Sequence, residues 1–166
     1  KKKFKPDWTE TAPEAGTIRS IVKYGSPCAF KHPSDGWVSM MMEEFGMTAA
    51  DFSRKQDEGG QKAVLDRPVS LDARHVERLK DIAGEHNVVT DDYSRIRYAY
   101  GKTTEELMEL RMGIIKEAAD VVVHPRDKAD VARIVAYCNE HVIPVTVFAA
   151  GSSVNFGVRP ARGGVT

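Results

Sequence analysis

Five small residues, Ala149 to Ser153, directly follow the most apolar stretch of the chain, which ends at Phe148. Because these residues have almost no side chain, their backbone N–H groups can approach an anion closely. The hydroxyl groups of Ser152 and Ser153 add two further donors. A phosphate or a diphosphate is the ligand that such a segment suits. A tight turn in which the small residues serve only packing explains the same pattern.

The segment completes none of the familiar phosphate-binding or nucleophile motifs. It lacks the spacing G-x-G-x-x-G, and no Gly-Lys-Ser or Gly-Lys-Thr follows as in a P-loop. Gly151 and Ser153 satisfy half of the nucleophile elbow G-x-S-x-G, but Asn155 stands where the second glycine is required. The residues alone therefore leave the anion site and the plain turn both open.

A strand, a helix and a second strand are predicted just before the small residues. Val121 to His124 is a short, mostly apolar run typical of a buried parallel strand, and Pro125 ends it. Asp127 begins a helix, and Val145 to Phe148 forms the second strand after Pro144. The apolar face predicted for this helix consists of Val131, Ile134, Val135 and Cys138. Short connections in this order predict a right-handed parallel crossover, with the small residues at the carboxyl edge of a parallel sheet.

The earlier part of the chain is predicted to be mainly helical. Residues 37–50 form a helix whose methionine-rich side is expected to fill the core. That side carries Trp37, Met40, Met41 and Phe45. Residues 70–87 contain a second helix, which Ser70 caps and which stops at Gly84.

Three further segments complete this prediction. Residues 17–25 are expected to form a short edge strand, and the polar residues 51–68 a loop. Thr103 and Glu106 stand at capping-box spacing, so a helix is predicted from there to about Met112.

The bulk composition limits the partners that are expected. Lys plus Arg and Asp plus Glu both number 24 among 166 residues, which gives no reason to expect nucleic acid as a partner. No apolar run approaches the ~18 residues of a transmembrane segment, and no signal peptide is visible. Cys28 and Cys138 lack metal-type spacing and are predicted to be reduced thiols of a cytoplasmic protein. The chain begins without Met and ends on GGVT, so we interpret it as a piece of a larger protein.

Several other polar side chains have both a structural and a functional interpretation. Arg95, Arg97 and Lys102 could approach a phosphate or a carboxylate, but a solvated basic face is favoured. His124 ends the first predicted strand and is interpreted as structural. No metal site is predicted, because the helical histidines lack the Cys, Asp or Glu spacing of metal ligands. These histidines are His75, His86 and His141.

Residues 118–157 resemble the start of the FAD-binding domain of the vanillyl-alcohol-oxidase superfamily, the PCMH-type domain. That domain opens with a Pro-Asp-x-Val-x-x-Pro strand and a helix, and a second strand then leads into a Gly-Gly-Gly-Thr-Ser loop. The positions that match are Asp120, Val122, Pro125, Val131, Ile134, Pro144, Gly151, Ser152, Ser153 and Gly157. Residues 95–125 are similar to the corresponding region of the alkyldihydroxyacetonephosphate synthase and FAD-linked oxidase group.

The resemblance implies an α+β fold and FAD as the cofactor. Residues 1–115 would form an amino-terminal, mainly helical region, and residues 116–166 the first β-α-β unit of a truncated FAD-binding domain. The residues implied to bind the cofactor are Phe148, Ala149, Ala150, Gly151, Ser152, Ser153 and Gly157. Ala149 and Ala150 replace family glycines, and a positive φ at position 149 would cost alanine about 1 kcal/mol.

The implied function is that of the amino-terminal part of an FAD-dependent enzyme. The resemblance leaves open an alkyldihydroxyacetonephosphate synthase-like enzyme, an FAD-linked oxidase and a 2-hydroxy-acid dehydrogenase for lactate or glycolate. It implies that the catalytic residues lie beyond Thr166, so none is assigned here. The expected partners are a small-molecule substrate, the remainder of the same polypeptide and a second copy in a homodimer. A non-catalytic α/β interaction module is the alternative from another class.

Overall fold

Helices predominate in the computed structural model, which describes residues 12–22, 34–53 and 59–166. The elements in chain order are α1 (Arg19–Val22), α2 (Asp35–Phe45), α3 (Ala49–Ser53), α4 (Ala73–Ala83), β1 (Val88–Val89), α5 (Asp92–Arg97), α6 (Thr104–Arg111), β2 (Val122–Val123) and α7 (Lys128–Glu140). A 3₁₀ turn, Glu85–Asn87, connects α4 to β1. This mixture of helices and a small sheet confirms the predicted α+β class. None of the described helices is long and apolar enough to cross a bilayer.

Two clusters of buried apolar residues form the core. The first joins α1, α5 and α6, and its members are Ile18, Ile21, Val22, Ala63, Leu65, Ile96, Ala99, Tyr100, Leu110 and Ala118. The second joins α4, α7 and the sheet, and its members are Leu79, Ile82, Ala83, Val88, Val121, Val123, Ile134, Cys138, Ile143 and Val165. Although α4 lies in the first predicted region, it packs in the second cluster. The division at residue 115 stays a prediction.

The sheet differs in one important way from the predicted crossover. Val121 and Val145 both form parallel bridges, and each of them pairs with Val165. The Thr166 N–H donates to the Val121 carbonyl (2.9 Å), and the Thr146 N–H donates to the Val165 carbonyl (2.9 Å). The two predicted strands are therefore parallel, as expected, but the last residues of the chain lie between them. The handedness of the crossover stays a prediction.

The strand prediction for Val145 to Phe148 was too long. Only Val145 forms a bridge, and the Val147 side chain is 80 % exposed. The apolar run indicated a buried strand. Among the described residues, its backbone pairs on one side only, with Val165. The sequence prediction also missed β1, which pairs antiparallel with β2 through Val88 and Val123.

Helix α1 replaces the edge strand predicted at residues 17–25. Ile18, Ile21 and Val22 are buried on one side, and this is helical spacing. Among residues 17–22 of the described chain, only Thr17 makes a bridge, with Lys62. The last residues of the predicted strand, 23–25, lie outside the described residues, as does Cys28.

Helix α2 is exposed, although its methionine-rich side was predicted to fill the core. The helix ends at Phe45, which is 69 % exposed, because Gly46 takes a left-handed conformation. Val38 is the buried residue of this helix. The core interpretation is therefore wrong for Trp37, Met40 and Phe45, which are exposed, whereas Met41 is partly buried.

The helix starts show which local signals were correct. Asp127 caps α7, and Thr103 and Glu106 form the predicted capping box of α6. The cap of α4 was wrong, because Asp72 rather than Ser70 accepts a hydrogen bond from the first turn, at Arg74 N–H (2.9 Å).

The buried side of α7 is partly different from the predicted apolar face. Ile134 and Cys138 are buried as predicted, and burial raises the pKa of the Cys138 thiol. Val131 and Val135 are about half exposed. Asp130 completes the buried side instead, because Arg126 and Arg133 both pair with its carboxylate.

The carboxylate of Asp120 joins the two clusters. It is buried and accepts hydrogen bonds from the Ser70 hydroxyl (2.7 Å) and the Leu71 N–H (2.7 Å). Arg95 is also buried, with Nη2 at 3.7 Å from Asp120 Oδ1. Burial acts to raise the pKa of Asp120, but the hydrogen bonds from Ser70 and Leu71 outweigh it and hold the pKa below its ordinary value.

We predict that Asp120→Asn lowers the free energy of unfolding by about 2–4 kcal/mol at neutral pH, because the amide cannot replace all of these bonds. A lowered pKa stabilises the fold above the unfolded-state value, and this contribution is lost as pH falls through the folded-state pKa. The difference between parent and variant should therefore shrink below about pH 4. Urea unfolding at several pH values measures it, and a difference that grows toward acid pH contradicts the assignment.

A strained residue ends α7. Val142 has a φ of 55° and is 88 % exposed, although a branched side chain disfavours this conformation. The Ile143 N–H donates to the Cys138 carbonyl (2.8 Å), so Val142 occupies the position that glycine usually holds in a Schellman motif.

We predict that Val142→Gly stabilises the protein by about 1 kcal/mol and raises Tm by about 2–4 °C. Val142→Thr is the matched control, since it keeps the branched carbon and should leave Tm unchanged. Thermal unfolding by circular dichroism compares the three proteins. Equal Tm values for the glycine variant and the parent would show that the residue carries no strain.

Candidate functional site

The small residues lie in a loop, residues 148–157, that follows the parallel bridge at Val145. Ala149, Ala150 and Ser152 are exposed, whereas Gly151 is buried and has a φ of 65°. Neither alanine takes a positive φ, so replacing the family glycines costs nothing in backbone strain.

The amide N–H groups of Ala149 to Ser153 have no acceptor among the described residues. Backbone N–H groups are almost always paired with protein, water or ligand. Four of these five residues are at least partly exposed, so a ligand can reach them. A row of free amides at the end of a parallel strand suits an anion with several oxygen acceptors, such as a diphosphate.

The loop is held by its carbonyl and side-chain groups. The Lys102 N–H donates to the Ser153 carbonyl (2.6 Å). The Ser153 hydroxyl donates to Asn155 Oδ1 (2.9 Å) and accepts from the Gly157 N–H (3.0 Å). Because Ser153 is already used in this way, the exposed Ser152 is the serine whose hydroxyl remains for a ligand. The sequence prediction missed Asn155, although asparagine is a common residue in such local turns.

Gly101 allows the loop to approach the connection between α5 and α6. A Cβ atom at this position would lie 2.4 Å from the Ser153 carbonyl oxygen. No side chain larger than hydrogen fits there without moving the loop.

Phe148 packs inside the same loop. A Cβ atom at Gly151 would lie 2.3 Å from the Phe148 ring. The ring also contacts Tyr98 edge-on, with 5.1 Å between centroids, and Tyr98 contacts His124 at 5.2 Å. A substitution at Gly151 would therefore disturb the loop through Phe148, whether or not an anion binds.

Arg95, Arg97 and Lys102 were predicted to form a solvated basic face, with a phosphate or carboxylate contact as the alternative, but Arg95 is buried and Lys102 is partly buried. Arg95 is buried and donates to the carbonyl groups of Ala119 (2.9 Å) and Arg67 (2.9 Å). Arg97 is exposed beside Tyr98. Burial lowers the pKa of Lys102, and its backbone N–H rather than its ammonium group holds the loop.

His75 and His141 contact each other and Tyr137. His75 Nδ1 is 2.7 Å from the Tyr137 hydroxyl, and the His141 ring lies 5.1 Å from that of His75. In residues 12–22, 34–53 and 59–166, no three His, Cys, Asp or Glu side chains are grouped so that they could hold a metal ion.

Residues 119–166 match the family model described as FAD binding domain. The match covers 48 of the 166 residues, and we name this stretch the FAD-binding segment after it. The FAD-binding segment, residues 119–166, contains β2, α7 and the whole 148–157 loop. FAD is therefore the cofactor that the match indicates.

Two similar proteins belong to the same group of flavin-linked enzymes as the resemblance in the sequence indicates. The chain is 28 % identical over 85 residues to alkyldihydroxyacetonephosphate synthase of Trypanosoma brucei brucei, covering 51 % of this chain and 14 % of the relative. It is 26 % identical over 89 residues to the glycolate oxidase subunit GlcD of Bacillus subtilis (strain 168), covering 54 % and 17 %. The aligned part is thus less than a fifth of either relative.

A solved structure of alkyldihydroxyacetonephosphate synthase supports the fold. It matches with a TM-score of 0.57 and 25 % identity, over 60 % of this chain and 20 % of the solved chain. The match reaches beyond the 48 residues of the FAD-binding segment, so part of the preceding region shares this fold.

We predict that Gly101→Ala displaces the loop, because the added carbon overlaps the Ser153 carbonyl. Overpacking of this kind costs about 1–3 kcal/mol. Chymotrypsin should then cut faster after Phe148 or Phe156, as followed by mass spectrometry. Gly60→Ala is the matched control, because a Cβ atom there meets nothing within 4 Å. Equal cleavage rates in both variants would contradict the tight docking.

Proposed function

We propose that this chain is the amino-terminal part of an FAD-dependent enzyme and that its 148–157 loop binds the FAD diphosphate. The observation that carries the proposal is the row of free amide N–H groups from Ala149 to Ser153 in the FAD-binding segment. A plain packing turn does not need five consecutive N–H groups without a protein acceptor. The match to the FAD binding domain indicates FAD as the ligand, and the oxygens of its diphosphate can accept hydrogen bonds from these N–H groups.

Each loop residue has a distinct role in this proposal. The N–H groups of Ala149 to Ser153 would contact the diphosphate oxygens, and the exposed Ser152 hydroxyl would add a side-chain donor. Gly151 provides the positive φ, and Phe148 and Gly157 shape the two ends of the loop. When bound, FAD supplies the redox chemistry of its flavin ring. No described residue is assigned a catalytic role.

Two subclasses remain as proposals for the complete polypeptide. The similarity to alkyldihydroxyacetonephosphate synthase favours an alkyl transfer to a small phosphorylated substrate. The similarity to a glycolate oxidase subunit favours oxidation of a 2-hydroxy acid. Assays with acyl-dihydroxyacetone phosphate and with glycolate or lactate distinguish them. A cytoplasmic location, a homodimer and contact with the remainder of the polypeptide belong to the same proposal.

We predict that Ser152→Ala in the complete polypeptide weakens FAD binding about tenfold, because a hydrogen bond to a charged oxygen is lost. Riboflavin lacks the diphosphate, so its affinity should not change. Flavin fluorescence titration measures both ligands. Ser39→Ala serves as the control, since Ser39 is an exposed serine on α2.

Two results would contradict the proposal. The first is a complete polypeptide that is colourless when purified and does not bind added FAD, which would favour the non-catalytic interaction module. The second is a Ser152→Ala variant that loses riboflavin and FAD affinity equally, which would place the flavin diphosphate elsewhere.

A further inference from the structure

The carboxylate of Glu106 is fully buried at the start of α6, next to the 148–157 loop. Its two oxygens accept hydrogen bonds from the Gly101 N–H (3.1 Å) and the Thr103 N–H (3.1 Å). Between these two residues stands Lys102, whose N–H donates to the Ser153 carbonyl. Glu106 therefore fixes the turn whose middle amide holds the loop.

The same carboxylate also faces the far end of the loop. Arg159 Nε lies 3.6 Å from Glu106 Oε1, and Arg159 Nη2 lies 3.4 Å from Glu109 Oε2. The Arg159 guanidinium stacks at 4.2 Å from the centroid of the Phe156 ring. Phe156 has a φ of 63°, a strained conformation that its surroundings must maintain. The buried Glu106 carboxylate thus lies beside Lys102, which holds the middle of the loop at Ser153, and beside Arg159, which stacks on Phe156 near the end of the loop.

Capping of α6 explains only part of this arrangement. A capping box requires the bond from the Thr103 N–H to Glu106 and the bond from the Glu106 N–H to Thr103 Oγ1 (3.0 Å). It does not require the bond from Gly101 or the approach of Arg159. Burying a carboxylate is costly unless it is paired, and these two additional contacts provide the pairing.

We propose that Glu106 is a positioning residue that holds the 148–157 loop in the shape that binds the FAD diphosphate, an inference that rests on the function proposed above. It acts through Lys102 and Arg159 and does not touch the cofactor. The helical region before the FAD-binding segment is on this account part of the cofactor site.

The test compares Glu106→Gln with Thr103→Ala in the complete polypeptide. Thr103→Ala removes the other half of the capping box and leaves the carboxylate and its bond to Gly101 in place. Both variants should lower Tm. Only Glu106→Gln should weaken FAD binding, by about tenfold, and speed deuterium exchange in peptides that contain the Lys102 and Gly157 amides. Arg159→Gln is a second variant that leaves the α6 cap intact, and it should change FAD affinity and exchange in the same direction.

Three outcomes distinguish the positioning role of Glu106 from the proposed FAD binding itself. Selective effects of Glu106→Gln or Arg159→Gln on FAD affinity and loop exchange support the inference. FAD affinity within twofold of the parent in every folded variant overturns it and leaves the proposed function intact. Absence of FAD binding by the parent itself overturns the proposed function and the inference with it.

Discussion

The proposed cofactor site depends on five consecutive backbone N–H groups, Ala149 to Ser153, that have no acceptor among the described residues. Other polar groups of the same loop could accept from these N–H groups unless they have partners of their own. Here the Ser153 carbonyl is bound by the Lys102 amide, and the Ser153 hydroxyl joins Asn155 to Gly157. The carbonyl and the hydroxyl of Ser153 are thereby occupied and do not accept from the free amides.

Contacts farther from the loop connect it to the rest of the described fold. Val165 inserts between Val121 and Val145, so the loop begins at the end of a bridge that is hydrogen-bonded on one side. The buried Asp120 carboxylate connects the segment before β2 to the segment before α4 and to Arg95 on α5. The helical region is therefore continuous with the FAD-binding segment in its packing, as well as adjacent to it in the chain.

Local signals in the sequence predicted the starts of α6 and α7 but not α1, which was predicted as a strand. Asp127 and the Thr103–Glu106 pair were recognisable because a cap is a contact between near neighbours. Residues whose position depends on distant partners were not predictable in this way. The charge of Arg95 indicated solvent or a ligand, but its partners are 24 and 28 residues away in the chain. Ser70 was predicted to cap a helix. Its hydrogen-bond partner in the structure is Asp120, which lies 50 residues away in the chain and gives no local signal.

A structure of the complete polypeptide with FAD bound tests the central claim most directly. The account predicts diphosphate oxygens at about 2.7–3.2 Å from backbone nitrogens within residues 149–153, with the bond between Lys102 and Ser153 retained. A diphosphate bound elsewhere, with these five amides facing water or newly paired to protein carbonyl groups, would contradict it.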